Sequence, residues 1–161
     1  MGKSIKLKND MYIDQTSIKH DYIKVRQTQD QFTTTVGDMQ VLFQAVDINV
    51  GNAFELLTNG KVRVKSNKIH HVKITTWIWI ERHNSYAWCH LARNSNVLTS
   101  YMLPNSPSGE VWESVEMSTI TPVSQGDIIY PYIYFNIGEN GNSTRGGTYI
   151  NSVCMIVEAI D

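Results

Sequence analysis

Five histidines, two cysteines and a few glutamates are the groups in this 161-residue chain best suited to chemistry. His70 and His71 are adjacent, so on an extended backbone they point to opposite faces and cannot both ligate one metal. Cys89 and His90 fail as a thiolate–imidazole couple for the same reason. Neither Cys89 nor Cys154 belongs to a Cys-x-x-Cys pair, and both sit in apolar segments where a free cysteine serves as a small hydrophobe. Glu81, Glu110, Glu113 and Glu116 can be combined into the paired carboxylates of a glycoside hydrolase such as a polysaccharide depolymerase, but any β-rich chain offers such combinations. The chain has no nucleophile elbow, P-loop or dinucleotide fingerprint. The glycine-rich stretch 138–147 offers oxygen ligands of the kind calcium takes, yet its single carboxylate, Glu139, favours a plain loop. The expectation is a protein that is not an enzyme, with no cofactor and no metal.

Binding chemistry is better represented. Tyr86 and Trp88 alternate with Ala87 and Cys89, and Trp112 stands beside Glu113 after a Pro- and Ser-rich stretch. An aromatic face stacks on the apolar face of a sugar ring while neighbouring carboxylates and amides take its hydroxyls. Tyr86, Trp88, Trp112 and Glu113 are therefore the candidate saccharide ligands, against the alternative that the indoles pack inside the fold or at a subunit contact.

Composition removes other partners. Fourteen Lys and Arg against fifteen Asp and Glu give a formal net charge of −1, too balanced to hold nucleic acid or anionic lipid by a broad field. No apolar run approaches the roughly 20 residues that span a bilayer as a helix, so no membrane insertion is expected. Residues 1–9 carry three lysines with no apolar stretch behind them, unlike a secretory leader.

The elements that must position these residues are strands. Apolar and β-branched residues recur with period two over 39–48, 61–65, 71–82, 85–93, 97–103, 114–120, 127–137 and 149–160, separated by Gly, Asn, Ser and Pro. Helical periodicity is nearly absent, so the pattern predicts an all-β antiparallel sandwich or barrel. In 71–82 one face reads Val72, Ile74, Thr76, Ile78, Ile80, and the other carries Trp77 and Trp79 among polar ends. In 127–137 the aliphatic face is Ile129, Pro131, Ile133, Phe135, Ile137, and the opposite face carries a ladder of Tyr130, Tyr132 and Tyr134. Large apolar rings with polar tips are enriched where subunits meet, so Tyr130, Tyr132, Tyr134, Trp77 and Trp79 are expected at a subunit interface unless a loop of the same chain covers them.

Residues 1–37 differ in character: lysine-rich at first, then mostly Gln and Thr, with too little apolar surface for a core of their own. They read as an attachment arm, leaving 38–161 as a head domain. Ile5-Lys6-Leu7-Lys8-Asn9-Asp10, then Tyr12-Ile13-Asp14 and Ser17-Ile18-Lys19-His20, resemble the amino-terminal segment of tail and baseplate-associated proteins of phages and prophages of Gram-positive bacteria. From Asp38 onward the layout resembles the jelly-roll heads of the complement-subcomponent and tumour-necrosis-factor superfamily, through Phe54, Thr58-Asn59-Gly60-Lys61-Val62, the aromatic strand at 72–80, Gly126-Asp127-Ile128-Ile129 and the closing segment 149–160. The usual Gly-x-Tyr before the central strand is replaced by Asn67-Lys68-Ile69-His70-His71. The resemblances imply a homotrimeric virion protein, made without a signal peptide. Its arm would join a tail or baseplate protein and its head would bind a host cell-wall saccharide; a decoration protein without a ligand is the alternative.

Overall fold

The computed structural model describes residues 20–33, 35–83, 86–104, 110–136, 142–144 and 153–161. They form thirteen strands, paired antiparallel, with no helix among the described residues. In the first sheet the long strand β7 (His71–His83) is central. β10 (Glu110–Pro122) runs along the whole of one side of it. The other side is shared: β13 (Val153–Ala159) takes residues 72–78, and β12 (Asn142–Thr144) takes residues 80–81. Beyond β13 lie β1 (Tyr22–Arg26) and β4 (Ala45–Val50), and beyond β12 lies β2 (Gln31–Thr33).

The second sheet is built on β11 (Ile128–Phe135). One side pairs with β8 (Ala87–Arg93) and then β9 (Asn96–Leu103). The other is split between β6 (Val62–Val64), itself paired with β5 (Phe54–Leu56), and β3 (Gly37–Gln40). Proline is rare inside a sheet because it has no N–H to give the ladder. Pro131 is tolerated because it stands where β11 passes from β6 to β3, and only its carbonyl is used, accepting from Val41 N at 3.1 Å.

The alternation read from the sequence is the packing observed. Ile74, Ile78 and Ile80 from the first sheet face Ile129, Ile133 and Phe135 from the second, all fully buried. Each such side chain contributes up to about 1.5–3 kcal/mol by leaving water.

Three expectations change. Tyr22–Arg26, assigned to the arm, is a strand between β13 and β4, and its Ile23 and Val25 are wholly buried in the core. Two inward side chains suffice once strands on both sides supply the backbone partners. The block at 39–48 divides into the end of β3 and the start of β4, with Val41 and Phe43 buried in the connection. In the stretch read as a loop at 138–147, residues 142–144 form β12; the others, and so any calcium ligation there, lie outside the described residues, as do residues 1–19.

Candidate functional site

Residues directly opposite in neighbouring strands share a face, so the registers fix what each outer surface carries. On the second sheet Met102, Trp88, Tyr134 and Asp38 form one row across β9, β8, β11 and β3, and Ser100, His90, Tyr132 and Gln40 form the next. The rings pack into a continuous strip. Trp88 and His90 are near-parallel at 6.3 Å between centroids, His90 and Tyr132 stack at 4.6 Å, and Tyr132 meets Tyr130 at 6.2 Å. The strip ends where Lys61 Nζ lies 3.9 Å over the Tyr130 ring, a cation–π contact.

Two turns hold this end. Asn94, in the left-handed conformation at φ 55°, closes the β8–β9 turn. Its side chain donates to Asp127 Oδ1 at 2.9 Å and accepts from Ile128 N at 2.9 Å, while its carbonyl accepts from the Tyr130 hydroxyl at 2.7 Å. Asp127, of the Gly126-Asp127 pair, also accepts from Ser124 N at 2.9 Å. The second turn joins β5 to β6 through Gly60, at φ +75°. A Cβ there would sit 2.8 Å from Phe43 N and 2.9 Å from Leu42 Cα, so only glycine lets the turn pack close and present Lys61 to Tyr130.

Asp38, Gln40, Lys61, Ser95, Tyr130 and Tyr132 line an open depression of about 380 Å³ on this surface. It combines two phenol rings with an amide, a hydroxyl and one charge of each sign. Partial burial lowers the His90 pKa from its ordinary 6.5, opposed by the nearby Asp38 carboxylate, and His90 Nδ1 is 2.7 Å from Ser100 Oγ. Burial, followed by the fields of Asp38 and Tyr130, raises the Tyr132 phenol.

The four residues read as sugar ligands do not converge. Trp88 lies on the outer face of the second sheet, 38% exposed. Tyr86 precedes β8, its N–H donating to Asn136 Oδ1 at 3.1 Å. Trp112 is on the outer face of the first sheet, opposite Glu81 in register and edge-on to Trp79 at 5.9 Å. Glu113 is committed elsewhere, in an ion pair with Arg82, whose side chain is 1% exposed and also donates to Pro104 O at 2.5 Å. The five expected interface residues also divide, with Tyr130, Tyr132 and Tyr134 on one outer face and Trp77 and Trp79 on the other.

The carboxylates make a poor hydrolytic pair. Glu113 and Glu116 point to opposite faces of β10, and Glu81 and Glu116 are four residues apart along the ladder, about 13 Å at strand spacing. Glycosidase carboxylates stand about 5–9.5 Å apart. The side chain of Glu110 is outside the described residues. Burial pushes the Cys89 thiol up to about 12, which leaves it without thiolate at neutral pH. Among the described residues, no three His, Cys, Asp or Glu side chains gather as a metal site, and no helix is long and apolar enough to cross a membrane.

No protein-family model matches the chain, and no curated protein is significantly similar to it in sequence. Solved structures are similar in fold. Murine APRIL at pH 8.5 aligns with a TM-score of 0.60 and 13% identity, over 88% of this chain and 100% of that one. Murine APRIL at pH 5.0 gives 0.60 and 15%, over 87% and 99%, and at pH 8.0 it gives 0.58 and 13%, over 87% and 99%. Likeness at this identity speaks to the fold alone: two antiparallel sheets in a TNF-like jelly roll.

Proposed function

We propose that this chain is the trimeric jelly-roll head of a phage or prophage tail or baseplate protein, and that it holds a host-surface saccharide on the outer face of its second sheet. The observation that carries the binding role is the strip from Trp88 through His90 and Tyr132 to Tyr130, flanked by Asp38, Gln40 and Lys61. Rings that stack and polar groups that take hydroxyls are the two needs of sugar recognition.

The subunit contact falls to the other face. Burying the tyrosine ladder between subunits would desolvate Asp38 and Lys61, neither of which forms an ion pair among the described residues. The first sheet's outer face is better suited to burial. Trp77 and Ile156 share it with the exposed Ile48 and Ile120, and several of its charges are matched, Lys73 beside Glu158 and Arg26 bonded to Asp47, with Glu116 opposite Trp77 left to find a partner across the contact. Three copies turn weak saccharide contacts into avid binding, by factors of about 10²–10⁴ where all engage together. Residues 1–19 are the proposed attachment to the tail.

Light scattering on the full chain tests the assembly, with three times 18.3 kDa expected and a monomer overturning it. Pull-down on host cell walls tests the ligand. Binding by the intact chain, lost in Trp88→Ala with Tyr132→Ala, is expected; no binding by an intact trimer makes the protein a decoration protein instead.

A further inference from the structure

The depression beside the aromatic strip has a feature that a neutral sugar does not require. Lys61 and Asp38 line it together, yet they are not paired with each other, nor with any other charged side chain among the described residues. Each is held on its own support. Lys61 follows the Gly60 turn and lies against Tyr130. Asp38 is fixed by the β3–β11 ladder opposite Tyr134. The rings of Tyr130 and Tyr132 lie on the same surface, and the other lining groups, Gln40 and Ser95, are neutral.

These placements determine which ligands gain. A neutral ring stacks but leaves both charges to water. A purely anionic sugar gains Lys61 and meets Asp38 as a like charge, and a purely cationic one does the reverse. A ring that carries both signs at separate positions satisfies both ends. We propose that the depression selects a zwitterionic sugar, its ammonium directed to Asp38 and its carboxylate or phosphate to Lys61. The inference rests on the saccharide-binding reading above and adds the ligand class. Asp38 is exposed and Lys61 half-buried, so each contributes about two- to fivefold in affinity.

The test is a titration of the full chain at pH 7, followed by NMR or calorimetry, with four probes of one ring size. They are methyl glucoside (neutral), glucosamine (cation), glucuronate (anion) and muramic acid (both). Muramic acid is expected to bind tightest, with glucuronate gaining little over the glucoside. Lys61→Met should reduce muramic acid to the level of glucosamine, and Asp38→Asn should remove the advantage that the amine confers. Equal affinity for all four probes, or a muramic acid advantage that survives both substitutions, overturns the charge selectivity and leaves the saccharide reading standing. No response at Trp88 or Tyr132 to any probe overturns both. Unchanged melting temperatures in the two variants exclude misfolding as the cause.

Discussion

The two outer faces of this sandwich are built from the same kind of strand and carry similar numbers of aromatic residues, but they treat charge differently. On the first sheet Lys73 stands beside Glu158 and Arg26 is bonded to Asp47. On the second, Asp38 and Lys61 stay apart, with tyrosine and imidazole rings on the same surface. Charges matched within a face lose little when a like copy covers them, and Glu116, opposite Trp77, would be the one group there to need a partner from the other copy. A face with unmatched charges discriminates among small ligands. Aromatic content alone does not say which face is an interface; the proposed assignment rests on how the charges around the rings are neutralised.

The contrast can be broken by experiment, and the largest effect belongs to assembly. Trp77→Asp buries an unpaired charge in the proposed contact and should convert trimer to monomer in light scattering, whereas Tyr132→Asp should leave the mass unchanged and abolish saccharide binding. The reverse result would exchange the roles of the faces. Next comes the ion pair that joins β7 to β10. Glu113→Ala removes that ion pair from the buried Arg82 and should lower unfolding stability by about 1–3 kcal/mol in a urea titration. Asn94→Ala removes two side-chain hydrogen bonds and puts a Cβ-bearing residue without a local partner in the left-handed region. It should cost about 2–3 kcal/mol and weaken saccharide binding by releasing the Ser95–Tyr130 end of the depression.

The smallest effects are those of pH. The native pKa of His90 is lowered, so the unfolded chain binds its proton first; stability is full above pH 6.5 and falls as pH drops through the interval down to the native value. Replacing His90 with Asn should flatten thermal stability across that range. The first sheet responds elsewhere. The backbone N–H of His70, bonded to Asp161, holds that carboxyl below its ordinary 3.8, so its contribution is present above pH 3.8 and disappears only in stronger acid. Asp161→Asn should therefore lower stability by a constant amount above about pH 4 and flatten only the acid limb; a loss that varied between about pH 5 and 7 would contradict this separation.

Much of the fold could be read from single strands. The period-two faces of 71–82 and 127–137 pack as their alternation requires, because a strand buried on one side permits one solution. Grouping the site residues could not be done that way. Trp88 and Trp112 are both outward, but whether two outward residues share a surface depends on which sheet each strand joins, a property of topology. The strand Tyr22–Arg26 was hidden because two core side chains in five residues give a weak local signal. Lys61 and Asp38 were also missed. They line one depression because β11 changes partner at Pro131, and only the proline itself hints at that change.

The placement of β1 beside β13 has a kinetic consequence. During synthesis β1, β4, β7 and β10 are all made before residues 153–159 exist, so the first sheet has a gap at its centre bounded by β1 and β7, with Ile23, Val25, Ile74 and Ile78 uncovered. Closing the gap requires the longest-range strand pairing among the described residues, the slowest kind of step for a chain of this size. Until then each half-made sheet offers two bare strand edges to its neighbours, so refolding yield should fall as protein concentration rises, while the finished molecule, its gap filled, no longer carries that hazard.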